Sequence, residues 1–263
     1  MKTPWLGLAF LLLGILSLGW MGEKVFPSIL APEEKLPVLL YHMITPADTS
    51  ANGAVVPLKE FEAQMAELSR LGYRSLTLAE FQTILSGGEV PKKRVLITFD
   101  DGYRSTLTLA LPVLKKYGFT AVEFVIGDRI GYQSPEVQYM TLAELKEGVA
   151  SGALEIGFHT MYGHRYDGDK PALLGWDKGQ TAADLRLEKE TLATAGIPTV
   201  EAFAYPWGAY TEANREALRE EGMRAAFTVE RRSFRPGDDP LAIPRLIVFP
   251  GMSLKGFRGL LGK

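Results

Sequence analysis

The chain contains no cysteine and only three histidines among its 263 residues. Without cysteine there are no disulfides, no thiolate-held zinc and no thiol nucleophile, so any metal must be bound by imidazole and carboxylate. A mechanism that needs imidazole must therefore draw on His42, His159 or His164. An excess of charge of one sign is also missing. The 29 basic residues against 31 acidic ones give a formal net charge of -2, which leaves no electrostatic footprint for nucleic acid. Internal repeats and low-complexity tracts are absent as well. What is present is an apolar fraction of 46%, enough to bury the core of one large α/β domain or two small ones.

Residues 4–22 are uncharged and mostly apolar, with Lys2 ahead of them and Glu23 and Lys24 behind. The run is about the ~20 residues that a helix needs to cross a bilayer. Its position behind a positive charge assigns it to export. A cleaved signal peptide, an uncleaved anchor and a buried helix compete. The anchor is favoured because the run is long and no A-x-A site follows it. The expected organisation is a targeting segment at 1–24, a linker at 25–35 and one folded domain at 36–263. That domain is expected outside the cytoplasmic membrane, as a monomer tethered to it if the segment is not cleaved.

Within the domain, residues 38–41 read as a strand that ends on His42. Apolar residues recur at Leu58, Phe61, Met65, Leu68 and Leu71 with helical spacing, and Gly72 stops the helix. Thr77 with Glu80, and Thr141 with Glu144, form capping boxes for two more helices. Helices are also expected over 111–117, over 181–195 and from Thr211 to Gly222. Strands at 95–99, 121–126, 154–158, 201–204, 225–229 and 243–248 bring the strand count to seven. Residues 127–140 and 162–179 read as loops. Strands separated by helices predict an α/β fold with a parallel sheet, open or closed into a barrel.

In either architecture functional groups collect at the carboxyl ends of the strands. His42, Asp100, Asp101, His159 and the turn at 205–208 all fall there. Asp100 and Asp101 run into a Gly102 turn, where repulsion and lost hydration require that one hold a proton or sit on a cation. In isolation such a D-D-G is also an ordinary solvated turn. His159 and His164 are five apart, which on a helix would turn them about 140° from each other, so a loop must bring them together. With Asp101 they would supply two nitrogens and an oxygen and leave a coordination position open, as in a catalytic zinc site; two surface histidines are the alternative. Metal-assisted hydrolysis also needs a base, an oxyanion donor and an acid. Asp100 is the natural base. His42 is the histidine left for the acid, although a lone His in such a run also reads as core. Pro206 has no N–H, so the donor from this turn would be the Trp207 N–H. Tyr205 and Trp207 suit sugar rings, or simply pack the rim.

Taken together, T-F-D-D-G-Y at 98–103, H-T-M-Y-G-H at 159–164 and F-A-Y-P-W-G at 203–208 resemble the motifs of the polysaccharide deacetylases of carbohydrate esterase family 4, the NodB-homology domain. The resemblance spans roughly residues 36–248. It implies Asp100 as base, Asp101, His159 and His164 as metal ligands, and the Trp207 N–H on the oxyanion. Tyr103, Tyr205, Pro206 and Trp207 would contact substrate. Three departures narrow the resemblance: the histidines are five apart where four is commoner, Ala204 stands where many members have Arg, and no His follows His164. All three fit the branch related to the biofilm poly-N-acetylglucosamine deacetylases, whose acid lies early in the domain, as His42 does after Leu39, Leu40 and Tyr41. R-P-G-D-D-P at 235–240, ahead of Arg245, also looks like that branch, and Arg245 would replace the missing Arg beside Asp100. The implied fold is a distorted (β/α)7 barrel. The implied activity is metal-dependent removal of N-acetyl groups from a cell-surface or exported polysaccharide, with acetate released. Zinc is the first choice of metal, with cobalt or nickel as alternatives. A glycan-binding module without catalysis, and an amidase or O-acetyl esterase, are the competing readings.

Overall fold

The computed structural model describes residues 35–48 and 52–262. The N-terminal apolar run and residues 25–34 of the expected linker lie outside the described residues. Among the described residues no helix is long and apolar enough to cross a membrane.

The chain enters through Leu36, which pairs with Phe234 in an isolated bridge. β1 (Val38–Tyr41) passes His42 into β2 (Met43–Thr45), which pairs in parallel with β3 (Val55–Pro57). Next come α1 (Leu58–Arg70), β4 (Arg74–Ser75), α2 (Leu78–Leu85) and β5 (Arg94–Asp101). A π-helical stretch, Thr106–Ala110, leads into α3 (Leu111–Tyr117), then β6 (Ala121–Val125), α4 (Leu142–Ala150) and β7 (Leu154–Phe158). A small hairpin of β8 (Tyr166–Asp167) and β9 (Lys170–Pro171) precedes α5 (Lys178–Thr194) and β10 (Ala202–Ala204). α6 (Glu212–Glu220), β11 (Ala225–Phe227), β12 (Leu246–Ile247) and α7 (Leu254–Leu260) complete the chain.

Seven strands stand side by side in the order β11-β10-β7-β6-β5-β1-β12, all parallel, with β4 also on β5. These are the seven strands expected from sequence. The sheet curls so that its last segment touches both edges: Ile243 bridges Phe227 of β11, and three residues later Leu246 pairs with Leu39 of β1.

Alternation along the strands sorts the core into two clusters. Leu39, Tyr41, Ile97, Phe99, Phe158, Phe203 and Tyr205 pack towards the helices. Val38, Leu96, Val122, Phe124, Ala202, Ala204 and Phe227 form the other cluster with Leu78, Phe81 and Ile84 of α2. Both faces of the central strands are thus buried, which is why they read as continuous apolar runs.

Several boundaries differ from expectation for local reasons. α5 starts three residues earlier because Asp177 with Gln180 makes a capping box. The expected strand over 243–248 is reduced to Leu246–Ile247, since Pro244 has no N–H with which to continue a ladder. β5 continues through both aspartates, which pair with Phe124 and Val125 of β6 instead of sitting in a turn beyond the strand.

Candidate metal centre and its surroundings

The parallel ladders fix the placement of the chemistry-bearing residues. Tyr41 pairs with Phe99, so His42 follows β1 beside the point where Asp100 continues β5. Val125 pairs with both Asp101 and Phe158, which sets His159 next to the end of β6. His42, the aspartates and His159 therefore share one rim.

Three groups converge there. Asp101 Oδ1 lies 3.5 Å from His159 Nε2 and 3.4 Å from His164 Nε2, and the three potential ligand atoms all fall within 4.8 Å of one another. Ligands about 2.0–2.1 Å from one tetrahedral zinc would be separated by about 3.4 Å, so the donor set fits a single ion. The tautomer fits as well. His159 Nδ1 is 2.6 Å from the Ala204 carbonyl oxygen, so it carries the proton donated to that oxygen and leaves the Nε2 lone pair facing Asp101. Asp101 and His159 are buried and His164 is partly exposed, so the cluster opens to solvent on the His164 side.

Asp100, the next residue back, is held by Arg245. Arg245 donates from Nη1 to Oδ1 and from Nη2 to Oδ2, both at 2.7 Å, and it is itself wholly buried. Its Nε donates to the Thr228 carbonyl, and its Nη1 also reaches Thr98 Oγ1 at 3.3 Å. Burial would raise the Asp100 pKa, but the charges of Arg245 and His159 and the bidentate bond outweigh it and hold the carboxyl below its usual range. For Asp101 too, burial is opposed by the neighbouring histidines, His159 first and His42 and His164 with it, with a large net decrease. Burial and the neighbouring His159 bring His164 down to about 4. For His159, burial acts downward but Asp101 and Asp100 more than compensate, and the net shift is upward.

Among the described residues, three of the four non-glycine residues with positive φ lie here: Asp101 at +84°, Thr160 at +75° and Trp207 at +54°. Residues held in this region store strain that the surroundings must over-determine. The Trp207 ring lies 4.3 Å from that of His164 and 4.5 Å from that of Tyr166, centroid to centroid. On the other side Tyr103, beside Asp101, stacks on Tyr139 at 5.0 Å, and Tyr139 meets the exposed Tyr132.

Two expected substrate contacts do not reach this surface. Tyr205 has no exposed area and donates its hydroxyl proton to the Leu241 carbonyl at 3.0 Å, and Pro206 is buried beside it. The cause is strand parity: Ala202 and Ala204 face one way, so Phe203 and Tyr205 face the helices. Of that turn, only Trp207 is exposed.

Three acids at the site were not singled out in the sequence. Glu123 Oε1 accepts the Gly102 N–H at 2.8 Å behind the aspartates, and burial raises its pKa strongly. Asp184 and Glu188, one turn apart on α5, accept backbone N–H groups of the 159–162 turn. Their spacing of four was the available signal, but on a polar helix it reads as a solvated face.

The donor atoms of Asp101, His159 and His164 at this rim could hold one metal ion. The chain belongs to the polysaccharide deacetylase family, whose family model matches residues 87–226. It is 34% identical over 224 residues to YxkH of Bacillus subtilis, covering 85% of this chain and 75% of that one. It is 29% identical over 192 residues to the poly-β-1,6-N-acetyl-D-glucosamine N-deacetylase of Staphylococcus epidermidis, covering 72% of this chain and 66% of that one. Among solved structures, IcaB from Ammonifex degensii superimposes with a TM-score of 0.76 at 31% identity, covering 87% of this chain and 96% of that one.

Proposed function

We propose that this protein is a divalent-metal-dependent N-deacetylase of an exported or cell-surface polysaccharide built of N-acetylglucosamine-type units. The observation that carries this reading is the Asp101–His159–His164 cluster beside an Asp100 held ionised by Arg245. The relatives named for poly-β-1,6-N-acetyl-D-glucosamine deacetylation support the substrate class. When bound by Asp101, His159 and His164, a divalent cation supplies Lewis acidity to the amide carbonyl, with zinc the first choice and cobalt or nickel the alternatives.

The chain's own residues divide the remaining work. Asp100, kept ionised by its guanidinium partner, takes the proton of the attacking water. Arg245 fixes the direction of that carboxylate through two parallel bonds. The Trp207 N–H, in a left-handed turn, donates to the oxyanion that forms as water adds to the carbonyl. His42, near both carboxylates, gives the leaving amine its proton. Tyr103 and Trp207, with Tyr139 and Tyr166 behind them, offer aromatic faces to sugar rings on either side. The apolar run at residues 4–22 would place this chemistry outside the cytoplasmic membrane, either tethered or released.

The test is acetate release by the full-length, zinc-loaded chain from β-1,6-linked N-acetylglucosamine oligomers and from chitooligomers. We expect turnover on at least one of these. Asp100→Asn should retain zinc and lose about two to four orders of magnitude in rate. His159→Ala and His164→Ala should lose zinc and activity together. A zinc-loaded parent that binds oligomers without releasing acetate would make the chain a glycan-binding module instead.

A further inference from the structure

His159 and His164 sit at the two ends of a turn whose backbone is gripped from both sides. On one side the Thr160 and Met161 carbonyls accept the Gly127 and Asp128 N–H groups, both at 3.0 Å. On the other side stand two carboxylates of α5. Asp184 accepts the Met161 N–H on Oδ2 and the Tyr162 N–H on Oδ1, each at 2.8 Å. Glu188, wholly buried, accepts the His159 N–H at 3.3 Å as the minor branch of a donor shared with Val125, whose carbonyl lies at 2.9 Å. The packing is close enough that a Cβ on Gly127 would lie 2.5 Å from Met161 Sδ and 3.3 Å from Glu188 Cγ.

Leucine would serve better if this face of α5 had only to pack. Aspartate is a poor helix-interior residue, and burying carboxylates costs stability unless their oxygens are hydrogen-bonded. Here both Asp184 oxygens are used, and both on the segment that joins the two histidines. The same segment contains Thr160 at φ +75°, a conformation that needs outside support.

We propose that Asp184 and Glu188 are positioning residues for the metal centre, which hold the 159–162 turn so that both imidazoles face Asp101 before any cation arrives. This rests on reading His159 and His164 as ligands. The two acids differ in what they require. Asp184 must accept with both oxygens, so an isosteric amide turns an NH2 group against a peptide N–H. Glu188 accepts with one oxygen only, so a glutamine does the same work.

The experiment is competitive titration of Zn²⁺ against a chromogenic chelator, using the full-length parent, Asp184→Asn, Glu188→Gln, Glu188→Ala and His159→Ala, with circular dichroism of each metal-free protein. Asp184→Asn and Glu188→Ala are expected to bind zinc about tenfold or more weakly, the loss typical of removing a group that orients a ligand, and Glu188→Gln to remain within about threefold of the parent. Because Asp100 and Arg245 are untouched, saturating zinc should restore most of the Asp184→Asn turnover, which a general folding defect would not permit. Should Asp184→Asn fail to fold, the Glu188→Ala and Glu188→Gln pair carries the same comparison. Zinc affinity near the parent's in Asp184→Asn, alongside loss in His159→Ala, would overturn this inference alone. Equal zinc binding by the parent and His159→Ala would remove the ligand reading, and this inference with it.

Discussion

Asp100 and Asp101 stand at the end of an eight-residue strand buried on both faces, whereas His159 and His164 stand at the two ends of a turn that carries no ladder of its own. The carboxylates are aimed by strand pairing to β6 and β1 and by one long-range guanidinium. The imidazoles are aimed by a strand end, a carbonyl on β10 and two acids on α5. A strand-borne group takes its direction from hydrogen bonds that also hold the fold, so disturbing it disturbs stability. A turn-borne group depends on side-chain brackets that can be lost while the fold stays.

The largest effect separating the halves should come from Arg245→Ala. It strands the buried Asp100 charge and should cost about 3–5 kcal/mol in denaturant unfolding at neutral pH, together with most of the activity. A loss below about 1 kcal/mol would mean that Asp100 does not depend on this pair. Removing the side-chain bracket with Asp184→Asn should act on the other half. Hydrogen exchange is expected to accelerate at amides 161 and 162, which lose their carboxylate acceptor, while amides 95–101 stay protected, and equal acceleration in both would erase the distinction.

Glu123→Gln should reveal a pH-dependent term on the strand side. Burial keeps the Glu123 proton on in the folded chain, while the unfolded chain releases it above about pH 4.3. Below that pH both states are protonated and the variant has no advantage in charge. Above it the parent loses up to about 1.4 kcal/mol of stability per pH unit relative to the variant, until the folded carboxyl itself ionises. Parallel melting curves for the two proteins from pH 5 to pH 8 would contradict this. Tyr205→Phe should have the smallest effect, about 1 kcal/mol of stability from the bond to Leu241, with KM unchanged. Trp207→Ala should do the reverse, raising KM with little change in melting.

The same contrast separates what was legible in sequence from what was not. Residues 111–117 and 154–158 have the expected limits because an apolar run between a helix signal and a glycine leaves little freedom. The shared rim of His42, Asp100, Asp101 and His159 follows from strand ends, which periodicity locates. Tyr205 faces the helices, not the rim, because strand alternation continues one residue past Ala204, which its neighbours Pro206 and Trp207 mask in the sequence. The π-helical stretch at 106–110 has no sequence mark. The carboxylates of α5 are invisible for a physical reason: only the packing of the helix against the 159–162 turn distinguishes them from a solvated polar face.

The bond between Asp100 and Arg245 joins residues 145 positions apart, and Arg245 lies on the segment that touches both edges of the curled sheet. Timing follows from this. A chain emerging from its amino end has both aspartates and both histidines long before it has the guanidinium that keeps Asp100 charged. A truncation before residue 245 would leave that carboxyl facing a half-made interior and drawn towards its neutral, non-basic form. The charged form of Asp100 therefore arrives with the last strand, after Asp101, His159 and His164 have all been made.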